Sequence, residues 1–195
     1  KEGYYRDELA IEPNVVVALY SGNMGGKQGL EILSRAAALT LGRKDLIWVF
    51  CGEGVGCANL KRDCAGLSNV KFLPLQPVER LNELLNFADI HLLPQRSDVA
   101  DLVMPSKLTG MLASGRPVVA TALQETQVAS VCEQCGLVVP PGEAAMFAKA
   151  ILALVDDTAL RLDLGAKARA YAEFNFGHDA ILSRFEFDLK SLLVE

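Results

Sequence analysis

The sequence predicts an α/β domain built on a doubly wound, parallel β-sheet. Short runs that are apolar throughout recur along the chain, as in strands that are covered on both faces. Segments with apolar residues at helical spacing separate these runs. Glycine, proline or polar residues follow most of the runs, at the carboxyl ends of strands, where sheets of this kind bind ligands. We therefore expect a Rossmann-like sheet of about six strands with a helical C-terminal tail.

The apolar pattern places each element in order. It predicts strands over Val15–Tyr20, Leu46–Cys51, Val70–Leu73, Ile90–Leu93, Pro117–Ala120 and Leu137–Val139. It predicts helices over Gly29–Leu41, Ala58–Ala65, Val78–Phe87, Lys107–Ser114, Glu125–Gln134, Glu143–Val155, Ala159–Phe174 and His178–Leu193. Residues 1–14 are polar and irregular, which is typical of a linker that leads into a domain.

Composition narrows the class of protein. The 195 residues suit one compact domain, and 51% hydrophobic with 22% charged residues favours a packed core over disorder. A net charge of −5 argues against nucleic acid as the main partner. No apolar run approaches the roughly 20 residues of a membrane span and no signal peptide is evident, so we expect a cytoplasmic protein. The chain begins at Lys1, so we also expect sequence to precede it.

The cysteines and histidines do not indicate a catalytic or metal centre. Five cysteines in apolar stretches do not resemble a disulfide framework, and Cys132 and Cys135 form a single C-x-x-C without a second pair. Buried small side chains are the simpler interpretation, with a metal or redox role as the alternative. His91 lies inside a predicted strand and His178 near a helix start, so both favour structural roles.

The first candidate site is the glycine-rich turn after the first strand, with Gly22, Asn23, Gly25 and Lys27. Glycines let backbone N–H groups approach an anion, and the following helix offers its positive end. A plain strand-to-helix turn is the alternative. A P-loop would need glycine at Ser21 and a hydroxyl residue at Gln28, and the G-x-G-x-x-G dinucleotide fingerprint is also absent. ATPase and NAD-binding interpretations are weakened accordingly.

Three further candidates follow later strands. Gly52-Glu53-Gly54 combines close backbone approach with a possible hydroxyl acceptor, or is simply a tight turn. Pro94 opens an aperiodic polar stretch that is either a binding loop or a surface loop. Ser106 and Lys107 stand at a helix start, where unpaired N–H groups favour an anion, although Ser106 could merely cap the helix. Lys27 and Lys107 would meet at one sheet edge, which suits a diphosphate.

Taken together, these motifs resemble a known family. They are, in order, Gly-Asn-Met-Gly-Gly-Lys-Gln-Gly-Leu, Phe-Cys-Gly-Glu-Gly, Val-Lys-Phe-Leu-Pro-Leu, Ala-Asp-Ile-His-Leu-Leu-Pro, Pro-Ser-Lys-Leu and Met-Leu-Ala-Ser-Gly-Arg-Pro-Val-Val-Ala-Thr. The chain is similar over nearly its whole length to the C-terminal, nucleotide-sugar-binding domain of retaining group 1 glycosyltransferases of the GT-B fold. Within that family it resembles the enzymes of bacterial exopolysaccharide synthesis of the colanic-acid type.

The resemblance implies a role for each stretch. The turn from Gly22 to Lys27 would hold the diphosphate, backbone at Phe72 and Leu73 would meet the nucleobase, and Gly110 would lie by the ribose. Ser106, Lys107 and Leu108 would cradle the distal phosphate. Lys27 and Lys107 would supply the catalytic charge. The cofactor-binding set implied is Gly22, Asn23, Gly25, Gly52, Glu53, Gly54, Phe72, Leu73, Pro94, Ser106, Leu108 and Gly110.

The sequence departs from the family at a few of these positions. Many members carry glutamates where this chain has Leu102 and Gly110, and an arginine where it has Asn23. Gln28 also separates Lys27 from the glycine that starts the next helix. These departures bear on the ribose and sugar contacts and on the register of Lys27.

The resemblance also implies the organisation and activity of the whole protein. Residues 1–14 would link two domains, residues 15–175 would bind the donor, and residues 176–195 would pack back toward an N-terminal domain. The full enzyme would transfer a hexose from a UDP- or GDP-sugar to a lipid-linked glycan acceptor with retention, without a metal or cofactor. We expect peripheral membrane association of the full protein and no transfer by this chain alone. The alternatives are a nucleotide-sugar epimerase of the same fold and a non-catalytic nucleotide-binding module.

Overall fold

The computed structural model describes residues 4–26, 28–98 and 105–192, and these ranges form an α/β domain. The strands are β1 (Val16–Ser21), β2 (Leu46–Cys51), β3 (Val70–Leu73), β4 (Ile90–Leu93), β5 (Val118–Thr121) and β6 (Gly136–Val139). The helices are α1 (Tyr4–Glu8), α2 (Glu31–Leu39), α3 (Cys57–Asp63), α4 (Leu81–Phe87), α5 (Ser106–Ala113), α6 (Gln127–Cys135), α7 (Ala144–Asp156), α8 (Thr158–Phe176) and α9 (His178–Leu192).

The sheet confirms the predicted fold class. Its order is β3-β2-β1-β4-β5-β6, and each neighbouring pair is parallel. The direction of strand addition reverses between β1 and β4, and sheets of this topology bind ligands at the carboxyl ends of the strands beside that point. Ser21 pairs with Cys51 in register, so the turns that follow β1 and β2 begin side by side at this edge.

The core explains why the strands are apolar throughout. On one face Tyr20, Trp48 and Phe50 are fully buried together with residues of α2 and α7. On the other face Val17, Leu19 and Val49 pack with residues of α1 and α4. Strands covered on both faces have no position at which a polar side chain would reach water.

Residues 1–14 were expected to be irregular, but part of this segment forms helix α1. Tyr5 and Arg6 lie in helix α1, and the Tyr5 side chain is buried against the Phe87 ring, with 5.4 Å between ring centroids. The Arg6 guanidinium donates to the Asp89 carboxylate at 2.8 Å. A five-residue helix is too short to show helical periodicity, so its burial was not visible in the sequence. The role of this segment as an interdomain linker stays a prediction.

Smaller corrections concern the ends of other elements. The predicted helix over Val78–Phe87 is a 3₁₀ turn at Val78–Arg80 followed by α4. Helix α6 begins at Gln127 rather than at residue 125, because the Thr126 side chain accepts a hydrogen bond from the Ala129 N–H as an N-cap. The last helix, α9, contacts α8 and leaves Ile181 and Phe185 exposed. Its packing toward an N-terminal domain stays a prediction.

Candidate functional site

The turns after β1 and β2 pack directly against each other. Gly22 has φ 127° and Gly52 has φ 144°, a backbone region that residues with a side chain rarely adopt. A methyl group on Gly52 would overlap the carbonyl oxygen of Gly22. The Gly22 N–H donates to the Cys51 carbonyl at 3.0 Å. Glycine is therefore required at this contact by geometry.

The same contact continues one step along both turns. The Met24 N–H donates to the Glu53 carbonyl at 2.8 Å, and the Met24 carbonyl accepts from the Gly56 N–H at 2.8 Å. A methyl group on Gly54 would lie 2.7 Å from the Asn23 side-chain oxygen. The N–H groups of Gly22 and Met24 thus hold the two turns together, which leaves them unavailable to an anion.

Lys107 lies directly above these turns. Its ammonium nitrogen is 4.6 Å from the centroid of the Tyr20 ring, and its Cδ is 3.8 Å from the place of a methyl group on Gly22. Among the described residues no carboxylate pairs with it, and burial lowers the pKa of Lys107 to about 8. The site therefore holds a half-buried cation that has no carboxylate partner within the described ranges.

The first turn of α5 adds hydrogen-bond donors beside this lysine. Pro105 occupies the N-cap position, and no side chain caps the helix. Ser106 is the first helical residue, and its side chain is exposed, so it is not the cap that the sequence allowed as an alternative. The Leu108 N–H donates to the Pro105 carbonyl at 2.9 Å. Ahead of Leu108, the Ser106 and Lys107 N–H groups have no acceptor within the described residues, as expected at a helix start.

A cavity of about 420 Å³ joins Lys107 to an apolar wall. Its lining includes Gly22, Ser106 and Lys107. The rest of the lining is largely apolar or weakly polar and consists of Ser21, Cys51, Leu75, Gln76, Leu81, Leu84, Leu85, Thr109 and Gly110. A cation and several leucines in the lining of one cavity suit a ligand that carries an anion on an apolar ring.

The structure brings together part of the predicted site. Gly22, Ser106, Lys107 and Gly110 line the cavity. Asn23, Gly25, Glu53 and Gly54 lie in or beside the paired turns, with Glu53 exposed and contributing its backbone carbonyl. Lys27 and Leu102 lie outside the described residues.

Four predicted binding residues do not line the cavity. Leu73 is buried, and its carbonyl accepts from the Gly52 N–H at 3.2 Å. Leu108 is fully buried beneath α5, and Phe72 packs edge-on against Phe50. Pro94 is buried at the end of β4. The ligand contacts implied for these residues stay predictions.

Sequence reasoning missed several residues that shape the site. Tyr20 was treated as a strand residue, although its hydroxyl donates to the Asn23 carbonyl at 2.6 Å. Gln76 is held by the Tyr5 hydroxyl at 3.0 Å and itself donates to the Pro74 carbonyl at 2.9 Å. No sequence signal marks either residue. Leu81, Leu84 and Leu85 lie in the predicted helix over Val78–Phe87, but nothing in the pattern shows that they border a cavity.

The histidines behave as structural residues. His91 is fully buried with Nε2 3.0 Å from the Ser114 hydroxyl, and burial lowers its pKa to about 3, so it stays neutral. This confirms the core interpretation of His91. His178 lies exposed beside Asp179.

The cysteines are also structural within the described ranges. All five are free thiols, and burial raises the pKa of Cys51, Cys132 and Cys135. Cys132 and Cys135 are fully buried in the core, as the simpler interpretation expected. The described residues contain no group of three metal-ligating side chains. None of the described helices is long and apolar enough to cross a membrane.

Comparison with known proteins identifies the family. The family model described as glycosyl transferases group 1 matches residues 15–157. The chain is 36% identical over 191 residues to WcaI of Escherichia coli (strain K12), named as a colanic acid biosynthesis glycosyl transferase, covering 95% of this chain and 46% of WcaI. It is 29% identical to a D-inositol 3-phosphate glycosyltransferase of Corynebacterium diphtheriae, covering 91% and 43% of the two chains. The chain thus spans about half the length of these relatives.

Solved structures show the same fold. HepE of Anabaena, crystallised with UDP and glucose, superimposes with a TM-score of 0.80 at 20% identity and covers 97% of this chain and 52% of its own. The C-terminal domain of the group 1 glycosyltransferase LpcC from Francisella tularensis gives a TM-score of 0.74 at 16% identity, covering 91% and 94%. The chain therefore corresponds to the C-terminal half of the GT-B fold. By the extent of these matches, the chain belongs to the group 1 glycosyltransferase family.

Proposed function

We propose that this domain binds the nucleotide-sugar donor of a glycosyltransferase. The diphosphate would lie at Lys107, and the nucleoside would lie against the leucines that line the cavity, Leu75, Leu81, Leu84 and Leu85. The observation that carries the proposal is a cavity lined both by leucines and by a half-buried ammonium that has no carboxylate partner among the described residues. The Ser106 and Lys107 N–H groups at the start of α5 add donors that favour an anion. A diphosphate at this place would replace the water that Lys107 has lost.

The geometry also supports a chemical role for Lys107. Loss of a nucleoside diphosphate from a sugar leaves negative charge on the diphosphate, and a fixed cation in a desolvated site stabilises such charge strongly. The Tyr20 ring and Gly22 hold the lysine side chain before any ligand arrives, so little reorganisation is needed. Lys27 would add a second cation. We propose that no metal ion is required, since Lys107 and the N–H groups at the start of α5 would supply positive charge to the diphosphate.

The relatives suggest a reaction for the whole protein. WcaI is named for colanic acid biosynthesis, and HepE was crystallised with UDP and glucose. By analogy, the full protein would transfer a hexose from a UDP- or GDP-sugar, with retention, to a lipid-linked glycan acceptor in bacterial polysaccharide synthesis. Contacts with the acceptor would come from residues beyond this chain. The chain alone would therefore not transfer sugar. We place the reaction in the cytoplasm, with peripheral association of the full protein at the membrane.

A lysine substitution tests the proposed site. Lys107→Ala removes a charge-assisted contact of about 1.5–3 kcal/mol, so the affinity for UDP or GDP should fall roughly 10- to 150-fold. Affinity for uridine or guanosine, which lack the diphosphate, should change little. Isothermal titration calorimetry with each ligand measures both values.

The matched control is Lys44→Ala, because Lys44 is an exposed lysine before β2, at the opposite edge of the sheet. Its affinity for the diphosphate should equal that of the wild type. Equal diphosphate affinities of the wild type and Lys107→Ala, with unchanged circular dichroism, would contradict the proposed phosphate site.

A further inference from the structure

Tyr20 contacts both Lys107 and the glycine turn beside it, although it does not line the cavity. It is the fifth residue of β1 and is fully buried. One face of its ring lies under the Lys107 ammonium, 4.6 Å from the centroid. Its hydroxyl reaches forward and donates to the Asn23 carbonyl at 2.6 Å.

The contact with the Tyr20 ring compensates part of the hydration that the Lys107 ammonium loses on burial. The face of an aromatic ring carries negative electrostatic potential and attracts a cation within about 6 Å. No carboxylate within the described ranges pairs with Lys107, and burial alone accounts for the lowering of its pKa. The ring of Tyr20 is thus the electrostatic partner that the described structure offers to this ammonium in the absence of a ligand.

The hydrogen bond from the Tyr20 hydroxyl to the Asn23 carbonyl stabilises the conformation of the glycine turn. Two other hydrogen bonds join the glycine turn to the end of β2 and the turn that follows it. The Gly22 N–H donates to the Cys51 carbonyl, and the Met24 N–H donates to the Glu53 carbonyl. The Asn23 carbonyl lies between these two N–H groups along the chain. The bond from Tyr20 therefore holds the middle of the turn to the strand that also supports Lys107.

We propose that Tyr20 is a positioning residue that presets Lys107 and the Gly22–Met24 turn in one arrangement for the diphosphate. This inference rests on the proposed function, because it concerns how the same site is organised. Tyr20 does not touch the ligand. It acts by holding the cation with its ring and the turn with its hydroxyl, and two substitutions separate these contributions.

Tyr20→Phe retains the ring and removes the bond to Asn23, whereas Tyr20→Leu removes both contacts. We expect Tyr20→Phe to weaken UDP binding about two- to tenfold, as expected for loss of one hydrogen bond. Tyr20→Leu should weaken it about two- to thirtyfold further, the range of a cation–π contact. Uridine affinity, measured by the same calorimetry, should stay within about twofold in both variants because uridine carries no phosphate.

Phe50→Leu is the matched control. Phe50 pairs in register with Tyr20, is fully buried in the same cluster, and packs against Trp48 and Phe72. The Phe50→Leu variant should lose about as much unfolding free energy as Tyr20→Leu. Its ratio of UDP affinity to uridine affinity should equal that of the wild type. If Tyr20→Leu also keeps that ratio, Tyr20 is only a core residue and the inference is wrong.

A measurement without ligand separates this inference from the proposed function. The Lys107 ammonium can be titrated by NMR through ¹³C-labelled lysine side chains, with its signal assigned by its loss in Lys107→Arg. The facing titratable groups, the Tyr20 phenol and the Cys51 thiol across the cavity, have pKa values raised by burial and stay neutral near pH 8.

Because the ring favours the charged lysine, Tyr20→Leu should move the Lys107 pKa below its wild-type value of about 8, and Tyr20→Phe should leave it unchanged. An unchanged pKa in Tyr20→Leu overturns the role of the ring even if UDP binds. Failure of the wild type to bind UDP or GDP, with the expected pKa change present, overturns the proposed function and the diphosphate part of this inference, and leaves only the contact between ring and lysine.

Discussion

Lys107 illustrates at the residue scale how a binding group opposes folding. A lysine whose pKa is lowered to about 8 binds fewer protons in the folded than in the unfolded chain between about pH 8 and its ordinary value near 10.4. Its burial therefore destabilises the fold most at neutral pH and less as pH rises through that window. The sequence predicted this residue from its place at a helix start, but not the Tyr20 ring beneath it, because contacts across the sheet edge leave no local pattern.

The same titration predicts a pH dependence of binding. A bound diphosphate favours charged Lys107, so the affinity for UDP should fall as pH rises above about 8. Lys107→Arg keeps its charge throughout, so its UDP affinity should not fall in this range. Calorimetry between pH 7.5 and 9.5, where the phosphate of UDP is fully ionised, checks both. A wild-type affinity that rises across this range would contradict the assignment of Lys107 to the phosphate.

Gly52 provides a second test at the residue scale. Gly52→Ala would place a methyl group onto the Gly22 carbonyl in a backbone conformation that alanine rarely adopts, so unfolding free energy should fall by about 2–3 kcal/mol or more. Gly42→Ala is the control, because a methyl group there meets no atom within 4 Å. Urea denaturation compares the two. Equal stability of both variants would mean that the two turns do not pack as described.

At the element scale, prediction succeeded where burial is two-sided and failed where the element is short. Strands β2 and β4 are almost wholly buried and occupy the predicted bounds, as expected for strands covered on both faces. The edge strand β3 also matches its predicted bounds, although Lys71 interrupts its apolar run. Helix α1 escaped prediction because five residues cannot display a period, and its burial depends on the distant Phe87. The paired turns were recognised as glycine-rich, but their mutual contact depends on the β1–β2 register.

The packing of α1 leads to a stability prediction. Tyr5 is buried, so Tyr5→Ala should lower the unfolding free energy by about 3–5 kcal/mol. Tyr4 is its exposed neighbour at 57% relative accessibility, and Tyr4→Ala should lower it by less than about 1 kcal/mol. Thermal or urea unfolding distinguishes the two. Similar small effects of both substitutions would show that α1 is a detached linker, as the sequence alone suggested.

At the scale of the whole molecule, strand order creates the site. Reversal of the strand order between β1 and β4 brings the glycine turns and the start of α5 to one edge, although Gly22 and Lys107 are 85 positions apart. The motif order in the sequence was sufficient to predict the fold and the family. The motif order could not establish which motif residues face a ligand. Leu73, Leu108 and Lys107 all belong to recognised motifs, and only the structure shows that the two leucines are buried.

The central claim is that this edge binds a nucleoside diphosphate and not a dinucleotide. The most direct measurement is calorimetric titration of the chain with UDP, GDP, uridine and NAD under one set of conditions. We expect UDP or GDP to bind at least about tenfold more tightly than uridine, because of the charge-assisted contact at Lys107, and we expect no detectable binding of NAD. Binding of NAD without a response to either diphosphate would contradict it.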